Sequence, residues 1–163
     1  MTTVEYIEVL NNIYEPICKW CENIQNDLKK NGYASKKGFY NNHSIKDKSG
    51  NWITEYFPIP VITVAQLCDI GFDIKYIFIE TKMKRDKAIK YDFSRLLKYK
   101  FEVYGIEEYL NDFYNDTLKV EDIGKRIEMS KEKEIGIGFK IEKNYINNII
   151  KIINELTELE TYI

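Results

Sequence analysis

The stretch from Phe72 to Gly105 constrains the fold most, because it reads as a strand, a basic helix and a second strand in succession. Phe72-Asp-Ile-Lys-Tyr-Ile-Phe-Ile-Glu-Thr81 is rich in aromatic and β-branched residues, which fit a pleated surface. Its apolar run is too dense to leave one face in water, so it is expected in the middle of a sheet. Lys100-Phe-Glu-Val-Tyr104 alternates apolar and polar residues before Gly105, the pattern of a short half-buried strand.

Between the two strands lies the most concentrated charge in the chain. Lys82 to Lys100 holds eight Lys or Arg against two Asp, a local +6, which leaves −8 elsewhere in a chain of net charge −2. On a helix from about residue 84 to 98, Lys84, Lys87, Tyr91, Arg95 and Lys98 are spaced by three or four and line one face. Ile89, Phe93 and Leu96 fall roughly opposite. A basic stripe with one aromatic suits an acidic protein surface, or phosphates with a base stacked on the ring. An ordinary solvated helix face has the same composition, and Asp92 or Ser94 could cap a second helix and break the stripe. The acidic remainder disfavours duplex DNA.

The flanks supply helices. Thr2 and Glu5 have capping-box spacing, and Ile7, Leu10, Ile13, Ile17, Cys21, Ile24 and Leu28 recur every three or four residues toward Gly32. Pro16 inside this run predicts a kink or a break. Ile146, Ile149, Ile150, Ile153, Leu156 and Leu159 mark a closing helix, and Ile106, Tyr109, Leu110, Phe113 and Tyr114 another behind Gly105. Gly38-Phe-Tyr40 and Trp52 to Phe57 flank a Lys48 to Asn51 turn signal, as in a hairpin that Pro58 and Pro60 end. Val61 to Val64 reads as a strand fading into a short helix, with a capping box at Thr63 and Gln66 and a terminating Gly71. Residues 115 to 133 read as a surface connection or one weak strand around Ile127 and Met129. Ile135, Ile137, Phe139 and Ile141 alternate with Gly136, Gly138 and Lys140, as in a strand.

These elements predict an α+β fold: a mixed sheet of about four to six strands, amphipathic helices at both termini and a central strand-helix-strand unit. With 163 residues and 44% hydrophobic content, one globular domain over 1–163 is expected, with a core large enough to need no staples. No window approaches the roughly 18 apolar residues of a membrane span. Glu5 and Glu8 stand where a signal peptide would carry basic residues. Three cysteines suit a reducing compartment, so cytoplasmic residence with free thiols is expected.

Three constellations carry possible chemistry. Cys18-Lys-Trp-Cys21 with His43 and Cys68 is the one set that could close a tetrahedral zinc site. Its first pair lies within a helix and Cys21 belongs to the apolar stripe, so buried thiols and no metal are expected. Asp73, Glu80 and Lys82 outline a nuclease core in which carboxylates hold Mg²⁺ and a lysine orients water. Alternation puts Asp73 and Glu80 on opposite faces of a regular strand, so a bulge would have to unite them. Gly136-Ile-Gly138 lacks the placement of a dinucleotide loop, and no cofactor is expected. His43, the only histidine, has no marked nucleophile beside it. The reading that results is a non-catalytic binding protein acting on a protein partner, in an interaction, inhibitor or immunity-type role through the basic face. A nucleic-acid-cleaving enzyme is the alternative.

Overall fold

A computed structural model describes residues 2–40, 46, 50, 57–105 and 119–158. The turn at 48–51 apart from Gly50, the strand predicted at 52–56, the helix behind Gly105, His43 and Leu159 lie outside them.

The chain opens with α1 (Thr3–Val9), capped by the Thr2 hydroxyl, which accepts the Glu5 N–H at 3.1 Å. It continues through a π turn (Leu10–Tyr14) into α2 (Glu15–Lys30). Pro16 cannot donate to the preceding turn, and where a kink or a break was expected the chain forms a wider π turn just before it, which keeps the helix continuous. The extra residue rotates everything upstream. Ile7, expected on the inner stripe, is 50% exposed, and Val9 is 6% exposed in its place. From Ile17 the stripe holds as read, burying Ile17, Cys21, Ile24 and Leu28. Each such side chain contributes about 1.5–3 kcal/mol of transfer free energy. The turn that closes α2 passes through Gly32, whose φ is +83°. Tyr33 N–H reaches back to Leu28 O and Gly32 N–H to Lys29 O, the bond pair of a left-handed helix end.

Six strands form one sheet in the order β1-β2-β3-β4-β6-β5: β1 (Ser35–Tyr40), β2 (Ile59–Val64), β3 (Cys68–Phe72), β4 (Tyr76–Lys84), β5 (Phe101–Tyr104) and β6 (Glu134–Glu142). Between β4 and β5 lie α3 (Arg85–Lys90) and a 3-10 turn (Phe93–Leu96); α4 (Val120–Met129) precedes β6, and α5 (Asn148–Glu158) follows it. The fold is α+β with helices at both ends, as expected. Each ladder is antiparallel, whereas the strand-helix-strand unit implied a mixed sheet. β4 and β5 do run the same way, but β6 inserts between them and pairs antiparallel with both.

Three other expectations are corrected. Pro60 lies inside β2, opposite Phe39 of β1. The β2–β3 ladder begins only at Ile62, so the missing N–H interrupts no pairing on that side. Val64 to Gln66 starts no helix: Leu67 N–H closes a turn on Val64 O, Gln66 takes φ +58°, and Gly71 sits within β3. Residues 120–129, read as a connection or weak strand, form α4, with Ile123 and Ile127 buried one turn apart.

The inner row of the sheet comprises Ile62, Val64, Cys68, Ile70, Phe72, Ile77, Ile79, Met83, Ile135, Ile137, Phe139, Phe101 and Val103. It joins the buried stripes of the helices in one core. Thr81 is the polar member of that row on β4, and its hydroxyl donates to Leu67 O at 2.5 Å. That bond offsets the cost of burying the oxygen and ties β4 to the β2–β3 turn.

Candidate functional site

Because side chains alternate across a strand, the sheet register also orders the outer face. One row runs Lys36, Thr63, Asp69, Glu80, Gly138, Glu102 from β1 to β5, and the next brings Lys82, Gly136 and Tyr104 into line. A hollow of about 1140 Å³ opens over one end of this face, with Thr63, Asp69, Glu80, Lys82 and Tyr104 on its walls and Lys131 to Glu134 on its rim. Gly136 lets the Tyr104 ring lie against the strand, since a Cβ there would meet Tyr104 Cδ2 at 3.1 Å. At the mouth, Gly105 takes φ +81° and its carbonyl accepts the Ser130 hydroxyl.

Asp69 and Glu80 are exposed and directly opposite one another in the β3–β4 ladder. Like charges in that relation are destabilising by some tenths of a kcal/mol. Lys82, Lys131 and Lys133 supply the opposite sign around the same hollow. Farther along β4, Tyr76 and Phe78 are half-buried on the same face, with Lys140 3.9 Å above the Tyr76 ring. The surface thus combines aromatic anchors with both signs of charge.

The predicted basic stripe does not form on one helix. Lys84 is the last residue of β4, just before α3, Tyr91 is extended at φ −79° and ψ 137°, and Asp92 starts the 3-10 turn by accepting the Ser94 N–H at 3.0 Å. Hydrogen bonds from the Ser94 hydroxyl and N–H hold the Asp92 carboxyl below its usual range. Arg95 is bridged to Glu155 at 2.8 Å and also to Glu158, and Lys98 reaches Glu155 at 3.1 Å. Tyr91 packs edge-on against Phe93, 5.0 Å between centroids. Arg85, outside the stripe, donates to Ile127 O and Glu128 O at the end of α4, where a cation suits the helix dipole. Arg95 and Lys98 therefore join the 3-10 turn to α5, while Lys84 and Lys87 are exposed elsewhere.

The nuclease outline does not assemble. Asp73 lies in the β3–β4 turn, where its carboxylate accepts the Ile74 N–H at 2.6 Å and its own N–H donates to Tyr76 O. Glu80 faces Asp69 instead. Four residues of strand put Asp73 about 13 Å farther along. Sequence spacing could not reveal the Asp69–Glu80 pairing, which depends on a turn with no glycine or proline between the strands.

Cys18 is half-exposed on α2, and Cys21 and Cys68 are buried. Burial, helped by the nearby Asp69, pushes the Cys68 thiol up to about 12, and burial also raises Cys21. Burial and the neighbouring Cys18 push the Tyr14 hydroxyl up to about 12. Thiols held protonated are poor metal ligands. Among the described residues no three His, Cys, Asp or Glu stand where they could hold a metal ion. No described helix is long and apolar enough to cross a membrane.

The model of a family described as "Protein of unknown function (DUF3201)" matches residues 8–156. Among solved structures, a conserved hypothetical protein from Pyrococcus furiosus shares the fold, with a TM-score of 0.63 at 22% identity over 96% of this chain and 97% of that one. No curated protein matches.

Proposed function

We propose that this chain, which belongs to the family described as "Protein of unknown function (DUF3201)", is a non-catalytic binding protein that receives a protein partner on the outer face of its sheet. The observation that carries the reading is the Asp69–Glu80 pair, two exposed carboxylates facing each other across a ladder in the wall of the hollow. A cationic side chain placed between them would relieve the repulsion, so stability given up in the free protein returns on binding. Lys82, Lys131 and Lys133 then offer contacts to acidic groups on the same partner. Carboxylates on the surface oppose a phosphate backbone, and half-buried tyrosine and phenylalanine are the side chains that anchor protein interfaces. The basic segment contributes through Lys84, because Arg95 and Lys98 are engaged by α5.

The test is the double variant Asp69→Asn, Glu80→Gln, compared with wild type by cross-linking in the source cells and mass-spectrometric identification of the attached protein. The expected result is loss of the cross-linked partner with a melting temperature equal to or slightly above wild type. Undiminished cross-linking of the same partner would refute the assignment.

A further inference from the structure

The charges in the wall of the hollow follow an order set by the strand repeat. Glu80 and Lys82 are both exposed on the outer side of β4, and residues two apart on a strand are separated by about 6.7 Å. Asp69 stands across the ladder from Glu80, and the Cβ atoms of such a pair are about 4.5–5.5 Å apart. The wall therefore presents a double negative site and, one strand repeat along, a positive one. Asp69, Glu80 and Lys82 form no ion pair among the described residues.

Lys131 and Lys133 extend the positive end from a rim that is fixed in place. The Ser130 hydroxyl donates to Gly105 O and accepts the Glu132 N–H at 3.1 Å, and Arg85 N–H donates to Lys133 O at 2.9 Å. Glu134 faces Lys84 across the β4–β6 ladder, an opposed pair of unlike charge, and Glu132 stands between the two rim lysines. Four carboxylates against three ammonium groups leave the described lining of the hollow close to neutral. Neither a polyanion nor a polycation matches that lining, and a complementary occupant carries both signs.

Two carboxylates at that separation suit a guanidinium, whose planar fork of donors engages both, better than an ammonium, which is compact and more strongly hydrated. The chain has no arginine to offer. Its three are Arg85, Arg95 and Arg126: Arg85 is bonded to the carbonyls that end α4, Arg95 to Glu155, and Arg126 is likewise not free. Residues 106–118, which follow Gly105 in the chain, contain no Lys, Arg or His. Neither this chain nor a second copy of it therefore supplies the cation.

We propose, resting on the reading of the outer face as a protein-binding surface, that the hollow recognises an extended segment of the partner in which an arginine lies two residues from an aspartate or glutamate. The guanidinium sits between Asp69 and Glu80, and the acid on Lys82 with Lys131 and Lys133 at the rim. Residues two apart in an extended segment share a side and repeat at the same distance as Glu80 and Lys82, whereas neighbours point apart.

The experiment is selection of a displayed library of random short peptides against the full chain, followed by affinity measurements on the soluble winners. Enrichment of an arginine two residues from an acid, in either chain direction, is expected. Double-mutant cycles then pair arginine-to-glutamine in the peptide with Glu80→Gln, and acid-to-amide in the peptide with Lys82→Gln. Each matched pair should be coupled by about fivefold or more, and the crossed pairs by less than about twofold. Replacing the peptide arginine with lysine should weaken binding to wild type by about fivefold as well, a readout that needs no variant of the protein to fold. No enrichment, enrichment of acids or bases alone, equal coupling in matched and crossed pairs, or no loss with lysine would overturn the proposal. The cellular cross-link separates the two readings. If Asp69→Asn, Glu80→Gln abolishes it while the peptides fail, the binding surface stands and the arginine-and-acid segment falls; an undiminished cross-link removes both.

Discussion

Replacing Gly105 with alanine tests the geometry at the mouth of the hollow. Gly105 has φ +81°, and a Cβ there would lie 2.8 Å from the Glu134 carbonyl oxygen, a backbone atom of β6 that cannot rotate away. The left-handed conformation alone costs an L-residue about 1–2 kcal/mol. Forcing backbone apart in a packed region adds about 1–3 kcal/mol, for a total of about 2–5 kcal/mol. For a domain of this size each kcal/mol lowers the melting temperature by about 2–4 °C, so a fall between about 4 and 20 °C is expected. Gly32 provides the control, with nearly the same φ of +83° and nothing within 4 Å of its Cβ position. Gly32→Ala should show only the conformational cost of about 1–2 kcal/mol. Thermal and urea denaturation of both variants, followed by circular dichroism, measure the difference. If Gly105→Ala is no more destabilised than Gly32→Ala, the close approach of β5 and β6 at this point is wrong.

Two further outcomes follow from the core. Burial raises the Cys68 thiol from an ordinary 9.0 to about 12, so its contribution is fully present below pH 9 and disappears as pH rises toward 12, by at most about 4 kcal/mol. Melting temperature should fall over that window, and more shallowly in Cys68→Ala; parallel curves would exclude the thiol as the cause. The π turn predicts that Val9→Asp destabilises by several kcal/mol, whereas Ile7→Asp, at a half-exposed position, stays within about 1 kcal/mol of wild type; comparable losses would mean the helix is not rotated there.

Much of the architecture was legible because its signals are local. The alternation of Ile135, Ile137, Phe139 and Ile141 and the three-to-four spacing of Ile17, Cys21, Ile24 and Leu28 directly encode which side is buried. The misses have physical causes. The extra residue in the π turn changes the phase of a stripe without changing its composition, so Ile7 looked internal. α4 buries only Ile123 and Ile127 among charged neighbours, too few apolar residues to show a period. The β2–β3 turn is made by Ala65 and Gln66, neither a usual turn residue. The segment from Phe72 to Thr81 was read as one strand, yet residues 73–75 bend it into the end of β3 and the start of β4. That bend decides which carboxylate Glu80 meets. Glu80 and Lys82 were visible as a pair of interest, but Asp69 and Tyr104 reach them only through pairing between strands. The basic stripe fails at Asp92, one of the two residues that could cap a second helix, and what it starts is a 3-10 turn.

The position of β6 has a consequence for the order of events in folding. β4 is complete at Lys84, but the strand that covers its far edge starts at Glu134 and also provides the ladder for β5. As the chain leaves the ribosome, the β1–β4 meander can form while the edge of its longest strand stays unpaired until residues 85–133 have followed. Such an edge invites association with other nascent chains. Its outer side chains include Glu80, Lys82 and Lys84, charges that would keep that edge soluble during the wait. Residues read as a binding surface in the finished protein would thus act first as guards of an incomplete sheet.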